Sequence, residues 1–558
     1  MASVLLRTAP VVSASSPARD IRWPSVAGVL IAALYLGHVW IFGSYIADDA
    51  GISLAYARNI VAGYGPVLYR GGEAVEGYSN PLWVALLGLG AAVRLDGHDG
   101  IPLLKVLGVA FGIATLALTA VASSIAWPRD LRVRWLAPAL LASLTPFVFW
   151  TAAGLENALY AFLLLLTVTL QLRELEERSS PQLSALALSA LALTRPEGVA
   201  FSGVFLLHRV LCGERGIRLL KWIAIFAVPY AAFLTTRMMI FGELVPNTYY
   251  AKVALYDRHP MKLWEYMQSP TDRGTRYVLE SIRSIWPLLL AAGLGIVSRR
   301  YRSTSLLFAA LIAGTATYAI YVGGDFWPAG RFFTAILPLI ALAAQHAVNR
   351  WTPSRLAATV IAALIVGMVL NRSLTASSNL RVRDAGDALI SLQGRLNNAH
   401  RLQALAFALH IDDPLVLDAD IGGPSVAGLR VLDLGGLADV HIAKFHYYPS
   451  FFRTYIFDER RPAFIRTHAT WTSSSGITAF PEFGQHYVAI RSYRDRRGLH
   501  GEFVRRDLLN GAPQGVDEAR PPASWRQAIE DGRARRRREA ERATTLDGSP
   551  PAGSSSPR

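Results

Sequence analysis

Long apolar segments separated by short polar loops run along the first two thirds of the chain. A segment of about 20 apolar residues is long enough to cross the hydrocarbon core of a bilayer as a helix. The pattern therefore predicts about eleven membrane-spanning helices, the first of them from Val26 to Ala47. The others are expected near residues 101–126, 135–152, 155–172, 183–194, 198–211, 219–241, 285–298, 304–322, 332–349 and 355–371.

The apolar stretch Leu82–Arg94 is ambiguous, because a segment of this length either crosses the membrane once or lies along its surface. Charged loops help to decide between the two. Every second loop between the predicted spans is rich in arginine, as in the group Arg129, Arg132 and Arg134. Cytoplasmic loops carry such an excess of positive charge. If Leu82–Arg94 does not cross, all of these loops face the cytoplasm together with the N-terminus, and we prefer this simpler arrangement.

The other set of loops carries the polar residues that suit chemistry, and the same arrangement brings all of these loops to the outer face. They contain carboxylates, arginine, lysine, asparagine and aromatic side chains at the ends of membrane helices. Carboxylates serve as general bases, and arginine and lysine bind phosphate. The loops therefore suit a site that handles a polar group attached to a lipid. They comprise residues 48–59, 71–81, 154–157, 194–198, 246–252 and 323–331.

The last third of the chain changes character and predicts a small soluble α/β domain on the outer face. Leu415–Asp418 and Val431–Leu434 have the composition of short strands and lie beside glycine-rich turns. Both ends of the chain are polar and low in complexity, which predicts disorder. The predicted fold is mainly α, a polytopic transmembrane helical domain followed by this α/β domain. Its parts are a disordered cytoplasmic N-terminus (1–25), a transmembrane domain (26–371) with its first outer loop at 47–100, an extracytoplasmic domain (372–516) and a basic, disordered tail (517–558).

Composition narrows the function classes. Of the 558 residues, 52% are hydrophobic and 17% are charged, and the mean hydropathy of +0.29 is typical of a multi-span membrane protein. The net charge of +15 does not indicate nucleic acid here, since much of the arginine lies in short loops that set topology and meet anionic lipid. Cys212 is the only cysteine, so there is no disulfide framework. The absence of a Walker loop, a Rossmann glycine fingerprint and zinc-ligand spacing argues against nucleotide-driven or zinc chemistry.

Two adjacent carboxylates, Asp48 and Asp49, stand where the first apolar segment ends. Carboxylates at a membrane edge are costly unless they have a role. One role is structural, because an aspartate caps the N-terminus of a helix. The other is chemical, as a general base or an anchor for an acceptor hydroxyl. We expect Asp49, which directly precedes Ala50 and a helical run, to cap the helix, and we expect Asp48 to face the acceptor.

The remaining polar residues of the outer loops have structural explanations that compete with functional ones. Aromatic side chains are common at the membrane–water interface, and long cationic side chains extend towards it. Aspartate beside glycine is common in turns. These alternatives are an interfacial belt for Tyr249, Tyr250 and Trp327, a helix-end ion pair with Glu197 for Arg195, extension to the interface for Lys252, and a turn for Asp325.

The outer loops form a combination of motifs that resembles the GT-C membrane glycosyltransferases, most closely the mycobacterial terminal arabinofuranosyltransferase group and its bacterial relatives. Each motif alone is weak, and the resemblance, which extends over about residues 25–445, rests on the combination. The motifs are Asp48-Asp49-Ala50-x-Ile52-Ser53-x-x-Tyr56-Ala57-Arg58-Asn59, Glu76-Gly77-Tyr78-Ser79-Asn80-Pro81-Leu82-Trp83, Thr194-Arg195-Pro196-Glu197-Gly198, Pro246-Asn247-Thr248-x-Tyr250-Ala251-Lys252, Gly323-Gly324-Asp325-Phe326-x-Pro328-x-x-Arg331-Phe332 and Asp433-Leu434-x-Gly436-Leu437-Ala438-Asp439.

The resemblance implies an enzyme that uses a polyprenyl-phosphate-linked sugar, arabinofuranose in the similar group, as donor and a cell-envelope glycan as acceptor. It places the active site and the C-terminal domain on the outer side of the cytoplasmic membrane. It implies that Asp48 activates or positions the acceptor hydroxyl, with Asp49 second. Arg195, Lys252 and Arg331 are the candidates to neutralise the leaving phosphate. The expected acceptor and sugar contacts are Glu76, Tyr78, Asn80, Glu156, Asn247, Tyr250, Asp325 and Trp327.

Two other function classes stay open at this point. One is a transporter or flippase for a lipid-linked sugar, since charges within a membrane also mark transport paths. The middles of the predicted spans are free of charge, however, and the polar groups gather at one face, which favours chemistry there. The other class is a non-catalytic envelope protein whose outer domain binds glycan. No cofactor is predicted; a divalent cation between phosphate and carboxylate stays open, although no ligand spacing supports it.

Overall fold

The protein is described here from a computed structural model, which covers residues 25–128, 132–177, 181–252, 263–297, 301–325, 327–385, 391–445, 448–496 and 498–509. Residues 1–24 of the predicted N-terminal segment and all of the predicted tail, 517–558, lie outside the described residues.

Helices make up most of the described chain as far as residue 385. Those of the first part are α1 (Ser25–Ile41), α2 (Asp49–Val61), α3 (Pro81–Ala92), α4 (Ile101–Ala126), α5 (Leu136–Ser143), α6 (Thr145–Ala152), α7 (Asn157–Glu176), α8 (Leu183–Ala192), α9 (Glu197–Leu211), α10 (Gly216–Phe241) and α11 (Asn247–Lys252). They are followed by α12 (Leu263–Ile296), α13 (Arg302–Tyr321), a 3-10 helix (Arg331–Ile336), α14 (Leu337–Trp351) and α15 (Arg355–Ala385).

Helices occur at every position where hydropathy predicts a span, but they differ in length. Among the described residues, seven are long and apolar enough to cross a membrane by length and composition, which supports a membrane protein. The helices α1, α8 and α9 are shorter, so the count of eleven stays a prediction. The seven candidate spans are Ile101–Ala126, Asn157–Glu176, Gly216–Phe241, Arg273–Ile296, Arg302–Tyr321, Arg331–Trp351 and Arg355–Leu380.

Two apolar segments take a form that hydropathy does not distinguish. The helix α3 has 12 residues, and at 1.5 Å per residue its length of about 18 Å is too short to cross a bilayer of about 30 Å. The segment 135–152, predicted as one span, is instead the two helices α5 and α6, which are separated at Leu144 (φ −86°, ψ 115°). Pro146 stands in the first turn of α6, where its missing N–H leaves no helical bond unmade.

The C-terminal part is an α/β domain, as the sequence predicts. Its strands are β1 (Leu415–Asp418), β2 (Arg430–Asp433), β3 (Phe464–Thr467), β4 (Tyr487–Asp495) and β5 (Gly498–Arg505). Its helices are α16 (Leu392–Ala408), α17 (Gly422–Val426), α18 (Val440–Phe445), α19 (Pro449–Thr454), a π-helix (Tyr455–Arg460), α20 (Ala469–Ser475), a 3-10 helix (Ile477–Ala479), α21 (Pro481–His486) and a last 3-10 helix (Arg506–Leu508).

The five strands form one mixed sheet with the order β2-β1-β3-β5-β4. The strands β1, β2 and β3 are parallel, with Val416 opposite both Val431 and Phe464. The strand β5 is antiparallel to both of its neighbours. The carboxyl ends of the three parallel strands therefore lie at one edge of the sheet, with β1 in the middle.

The two faces of this sheet belong to different parts of the hydrophobic core. Val416 and Phe464 lie in a core that is continuous with the membrane helices and with α2 and α16. Leu417 and Ile465, the next residues on the same strands, lie in a separate core on the opposite face. Side chains alternate between the faces of a strand, so one face of the sheet docks the C-terminal domain onto the helical domain. We call the C-terminal domain the outer domain, after its predicted location.

Candidate active site

Asp48 is sealed into the contact between the two domains. Its carboxylate accepts the N–H groups of Gly422 at 3.0 Å and Gly423 at 2.8 Å, and the residue is 2% exposed. A β-carbon on Gly422 would lie 1.9 Å from the Asp48 carbonyl oxygen, so only glycine allows this approach. Burial, followed by repulsion from Asp420, raises the pKa of the Asp48 carboxyl. The expectation that Asp48 is free to face the acceptor does not fit this geometry, because the C-terminal domain engages its carboxylate; a catalytic role for Asp48 stays a prediction.

Asp49 is the carboxylate that remains accessible. It is the first residue of α2, its side chain is 37% exposed, and the helix has no side-chain cap. The expectation that Asp49 caps the helix is therefore also wrong. The Trp327 indole N–H donates to Asp49 Oδ2 at 3.4 Å, and Arg331 Nη1 lies 3.7 Å from the same oxygen. Asp49, rather than Asp48, presents its charge to an open space.

Arg331 joins Asp49 to a second carboxylate. Its Nε lies 2.6 Å from Asp325 Oδ2, and its guanidinium lies over the ring of Trp150 at 5.7 Å. The preceding Gly330 has φ +59°, a left-handed conformation that glycine adopts without strain. This turn directs Arg331 back towards α2. The predicted residues Asp325, Trp327 and Arg331 are thus brought together around Asp49.

Lys252, the last residue of α11, completes this group. It is exposed, and no hydrogen bond or ion pair joins it to another described side chain. Burial lowers the pKa of Lys252 while Asp49 raises it, and burial raises the pKa of Asp49 while Arg331 and then Lys252 lower it. Solvent therefore reaches both groups, although the surrounding protein largely desolvates them. We call the group Asp49, Lys252, Asp325, Trp327 and Arg331 the outer cavity.

Arg195 and its partners form a tighter network beside the outer cavity. Arg195 contacts Glu156 and Glu197 at 2.5 Å each and is 9% exposed. Asn80 donates to the other oxygen of Glu156 at 2.8 Å and accepts from Ser53 at 3.1 Å. Burial opposes ionisation of Glu156, but Arg195 and then Arg331 outweigh it and hold the pKa of this carboxyl below its usual value. The ion pair with Glu197 is the structural alternative expected for Arg195, so its charge is not free for a phosphate.

Several predicted sugar contacts are engaged by other described residues. Asn247 contacts the C-terminal domain, because its side chain donates to the carbonyl groups of Gly436 and Leu437 at 2.9 Å each. Glu76 pairs with Arg237 at 2.7 Å, and Tyr78 packs on Tyr56 with ring centroids 4.9 Å apart. Tyr250 donates to Glu243 at 2.7 Å.

Two curated relatives are similar to this chain in sequence. A terminal beta-(1->2)-arabinofuranosyltransferase of Mycobacterium tuberculosis is 28% identical over 329 residues, which cover 54% of this chain and 52% of the relative. The protein of the same name from Corynebacterium glutamicum is 29% identical over 348 residues, which cover 53% of this chain and 47% of the relative. The chain therefore spans about half the length of the curated relatives it matches. No protein-family model matches the chain.

Solved structures extend the similarity over most of the chain. ArnT from Cupriavidus metallidurans, crystallised with undecaprenyl phosphate, has a TM-score of 0.52 at 12% identity and covers 88% of this chain and 100% of ArnT. The oligosaccharyltransferase of Archaeoglobus fulgidus, crystallised with Zn and sulfate, has a TM-score of 0.53 at 12% identity and covers 88% of this chain and 74% of the transferase. The chain has the GT-C fold. The predicted fold class is thereby confirmed.

Within this GT-C fold, sequence reasoning missed charges inside apolar segments. Arg237 lies near the end of α10, within the predicted span 219–241. It pairs with Glu76 of the first outer loop. Lys105 in α4 donates to the carbonyl groups of Tyr45 and Ala152 at 3.0 Å each. An ionisable residue in an apolar helix indicates a structural or functional role. This signal could have identified both Arg237 and Lys105.

The GT-C fold also carries a second polar group that sequence reasoning missed, in the outer domain. Asp418, Asp420 and His468 bring one ligand-type atom each to within 4.8 Å of one another, the one group of this kind among the described residues. Asp418 pairs with Arg466 at 2.8 Å and Asp420 with Arg395 at 2.5 Å. The carboxylates are already matched by guanidinium groups, so this donor set does not fit a divalent cation well. In the outer cavity, both carboxylates face Arg331, which argues against a cation there too.

A cavity of about 680 Å³ opens at the opposite end of the five-stranded sheet. It is lined by the residues that precede the parallel strands, including Asp413, Arg430 and Arg461. The carboxyl ends of the strands, with Asp418 and Asp433, lie at the other edge of the sheet. This cavity is therefore separate from the outer cavity around Asp49.

Proposed function

We propose that the protein is a membrane glycosyltransferase that moves a sugar from a polyprenyl-phosphate donor to a cell-envelope glycan. The observation that carries the proposal is the outer cavity, in which the accessible carboxylate of Asp49 faces the accessible cation of Lys252 and the guanidinium of Arg331. A transfer from a phosphate leaving group needs both kinds of charge in one place. We further propose that the outer cavity opens on the extracytoplasmic side of the cytoplasmic membrane, as the arginine-rich loops predict.

The proposed reaction needs no nucleotide, because a polyprenyl phosphate is itself the leaving group. The acceptor hydroxyl oxygen attacks the anomeric carbon, and the bond from that carbon to the phosphate oxygen breaks. The hydroxyl proton passes to Asp49, and the bonding electrons leave with the phosphate. Asp49 has a raised pKa, which brings this carboxyl closer to the range of an efficient general base near neutral pH.

The phosphate that leaves gains negative charge, and Lys252 and Arg331 are placed to stabilise it. Fixed charges aimed at developing charge in a site that largely excludes water are an effective form of catalysis. Lys252 supplies a cation without a described partner, whereas Arg331 is held between Asp49 and Asp325. Arg195 is paired with two glutamates. We therefore propose that it stabilises the structure beside the outer cavity rather than binding phosphate.

The comparisons support the choice of donor class and of sugar. The crystal structure of ArnT, which shares the fold, contains undecaprenyl phosphate. The two relatives in sequence are named terminal arabinofuranosyltransferases. We therefore propose arabinofuranose as the sugar to test first. The residues Glu76, Tyr78, Asn247 and Tyr250 remain predicted acceptor contacts.

The test is an assay with membranes that contain the protein and a panel of labelled polyprenyl-phosphoryl sugars. A transferase releases free lipid phosphate and extends a glycan in equal amounts, and we expect this with the arabinofuranosyl donor. A transporter or flippase would move the intact labelled donor across the bilayer without releasing lipid phosphate. A glycan-binding protein without activity would do neither. Either of the last two results with every donor of the panel would contradict the proposal.

A further inference from the structure

The carboxyl edge of the outer sheet has the topology of a ligand-binding crevice. The chain passes from β1 to β2 on one side and later to β3 on the other side, so β1 lies at the point where the strand order reverses. In open α/β sheets, ligands bind at this point, outside the carboxyl ends of the parallel strands. Asp418 ends β1, and His468 directly follows β3. Polar side chains from two neighbouring strands thus meet at this edge.

Two arginines complete this group of side chains. His468 Nε2 lies 3.1 Å from Asp420 Oδ2 and 3.6 Å from Asp418 Oδ1. Arg395 of α16 lies 2.5 Å from Asp420, and Arg466 of β3 lies 2.8 Å from Asp418. Asp418 is fully buried, whereas the side chains of His468 and Arg395 are 16% and 18% exposed. The group therefore has a buried end at Asp418 and an open end at His468 and Arg395.

The open end has hydrogen-bonding atoms that the described part of the chain does not satisfy. Arg395 Nε is a buried N–H without a hydrogen bond to any described residue. Asp420 Oδ2 and His468 Nε2 make no hydrogen bond of good geometry, although they lie 3.1 Å apart and Asp420 Oδ2 lies 2.5 Å from Arg395 Nη2. Asp420 itself is 7% exposed. Buried polar atoms in folded proteins are almost always hydrogen-bonded. An unsatisfied N–H beside a carboxylate and an imidazole whose contacts are poorly aligned indicates a ligand that both donates and accepts hydrogen bonds.

This group lies next to the outer cavity. Asp420 precedes by two residues the Gly422 amide that binds Asp48, and Asp49 follows Asp48 in the chain. The charge of Asp420 raises the pKa of both Asp48 and Asp49, so its carboxyl is close to both. A ligand held by Asp420 at the open end is therefore near the proposed base.

We propose that Asp420, His468 and Arg395 form an acceptor subsite that binds two neighbouring hydroxyls of the terminal sugar of the acceptor glycan. This inference rests on the proposed transferase function, which it deepens by naming the part of the outer domain that recognises the acceptor. A sugar hydroxyl donates to the carboxylate of Asp420 and accepts from the Nε–H of Arg395. The ring nitrogen of His468 bonds the second hydroxyl. An uncharged polyol satisfies all three atoms without adding charge.

A divalent cation is the competing ligand for the same atoms, and the charge balance disfavours it. Asp418 and Asp420 carry two negative charges, and Arg395 and Arg466 carry two positive charges. A cation bound at Asp420 would lie beside the guanidinium of Arg395, which already pairs with this carboxylate. Like charges side by side in a desolvated place are costly. A neutral carbohydrate avoids this cost.

The experiment separates acceptor recognition from donor chemistry in the purified full chain. Asp420→Asn and His468→Gln are compared with the wild type in two reactions, transfer to an acceptor oligosaccharide and slow hydrolysis of the donor by water without acceptor. We expect each variant to raise the acceptor KM about 10- to 100-fold, the usual effect of losing a hydrogen bond to a charged group. Donor KM should stay within twofold of the wild type in both variants, and donor hydrolysis should stay within twofold in His468→Gln, which leaves the carboxylates near Asp49 in place. The control is Asp413→Asn, which removes an exposed carboxylate of the same domain, 70% accessible.

The outcomes distinguish the acceptor subsite from the function on which it rests. If the wild type transfers sugar and the variants keep a normal acceptor KM, or His468→Gln loses hydrolysis together with transfer, the subsite is refuted while the transferase stands. If a chelator reproduces the defect in the wild type and added Ca²⁺, Mn²⁺ or Zn²⁺ reverses it, the group is a metal site and the subsite is refuted. If no donor is used at all, saturation-transfer NMR of the oligosaccharide with wild type and Asp420→Asn still decides: equal signals refute the subsite, and a signal lost only in the variant supports it.

Discussion

Two clusters of charged side chains in this protein contain the same kinds of group but differ in how far solvent reaches them. The first lies where α7, α8, α9 and α10 meet and is centred on Arg209, which is fully buried and pairs with Glu174 and Glu214. Gln171 and Ser184 accept further N–H groups of Arg209, at 3.0 and 2.8 Å. Each of the three nitrogens of the Arg209 guanidinium donates to a described side chain. The cluster fastens four helices together and leaves nothing for a ligand.

The outer cavity has the same kinds of group and leaves them open. Asp49 is 37% exposed, its contacts to Trp327 and Arg331 are long at 3.4 and 3.7 Å, and Lys252 is exposed. Charges that only stabilise a fold are best paired closely and completely. Charges that are desolvated yet reachable are the pattern expected of a site that binds a charged substrate. The difference between the two clusters is therefore one of access, and each can be tested by variants that act on one cluster alone.

The largest expected effect is on catalysis in the outer cavity. Asp49→Asn keeps the size of the side chain but removes the charge and the base. Loss of a general base costs about 10²- to 10⁴-fold in rate, so transfer should fall by that factor while thermal unfolding in detergent stays close to the wild type. The matched variant is Asp48→Asn, which should loosen the contact with Gly422 and Gly423 and reduce transfer much less. Near-normal transfer by Asp49→Asn would remove it from the catalytic centre.

The next effect is on stability in the closed cluster. Arg209→Met leaves Glu174 and Glu214 buried without their partner, and breaking a buried ion pair in this way costs about 3–5 kcal/mol. We expect a lower unfolding temperature and a lower yield, with transfer per folded molecule unchanged. Arg173→Met is the control, because its pair with Glu177 is exposed on both sides and is worth less than about 1 kcal/mol. Equal unfolding temperatures for the two variants would show that the Arg209 cluster does not fasten the helices.

A smaller effect is expected on donor binding. Lys252→Ala and Arg331→Ala each remove a charge-assisted contact to the phosphate, worth about 1.5–3 kcal/mol, or about one to two decades in donor KM. Lys444→Ala serves as the control, because Lys444 already pairs with Glu243 at 2.5 Å in the domain interface. If both cavity variants bind the donor as tightly as the Lys444 control, the cations of the outer cavity do not hold the phosphate.

The smallest effect concerns pH and the outer domain. Burial raises the pKa of Asp433 to about 7, in spite of the N–H groups of Ala438 and Gly435 that it accepts. Because this pKa in the folded protein is above the ordinary value of about 3.9, its contribution to the free energy of unfolding is present at low pH and is lost as the pH rises through about 7. The unfolding temperature should therefore fall from pH 5 to pH 8.

Asp433→Asn should reduce this dependence on pH. Asp418, whose pKa is lowered, chiefly by Arg466 against the effect of burial, acts in the opposite direction but only below pH 4, outside the measured range. A wild-type unfolding temperature that rises from pH 5 to pH 8, with Asp433→Asn following the same curve, would contradict the assignment.

Much of this arrangement could be predicted from the sequence. Hydropathy locates the apolar helices, the short strands Leu415–Asp418 and 430–433 follow from their composition, and alternation of arginine-rich loops groups the motif loops together. Asp49, Lys252, Asp325, Trp327 and Arg331 are distant in the chain yet share one cavity because helix ends on one side of a bundle meet there. Local pattern and topology are sufficient to predict that these residues lie near one another.

The roles of the individual carboxylates could not be predicted. Asp48 is engaged by two backbone N–H groups more than 370 residues away, and no local pattern reports a contact of that kind. Capping propensity favoured Asp49 as the structural residue, but the docking of the outer domain reverses the two roles. In the same way, the topology of the sheet brings together three residues from separate elements, Asp420, His468 and Arg395. No local pattern in the sequence indicates this group.

The central claim, that Asp49 lines an open donor-binding cavity while Asp48 is sealed in the interface, is tested most directly by cysteine accessibility. Cys212 is first replaced by serine, and Asp48→Cys and Asp49→Cys are then treated in intact cells with a membrane-impermeant thiol reagent. The account predicts that position 49 is modified from outside, that polyprenyl phosphate slows this modification, and that position 48 is not modified. Faster modification at position 48, or no protection of position 49 by the lipid phosphate, would contradict it.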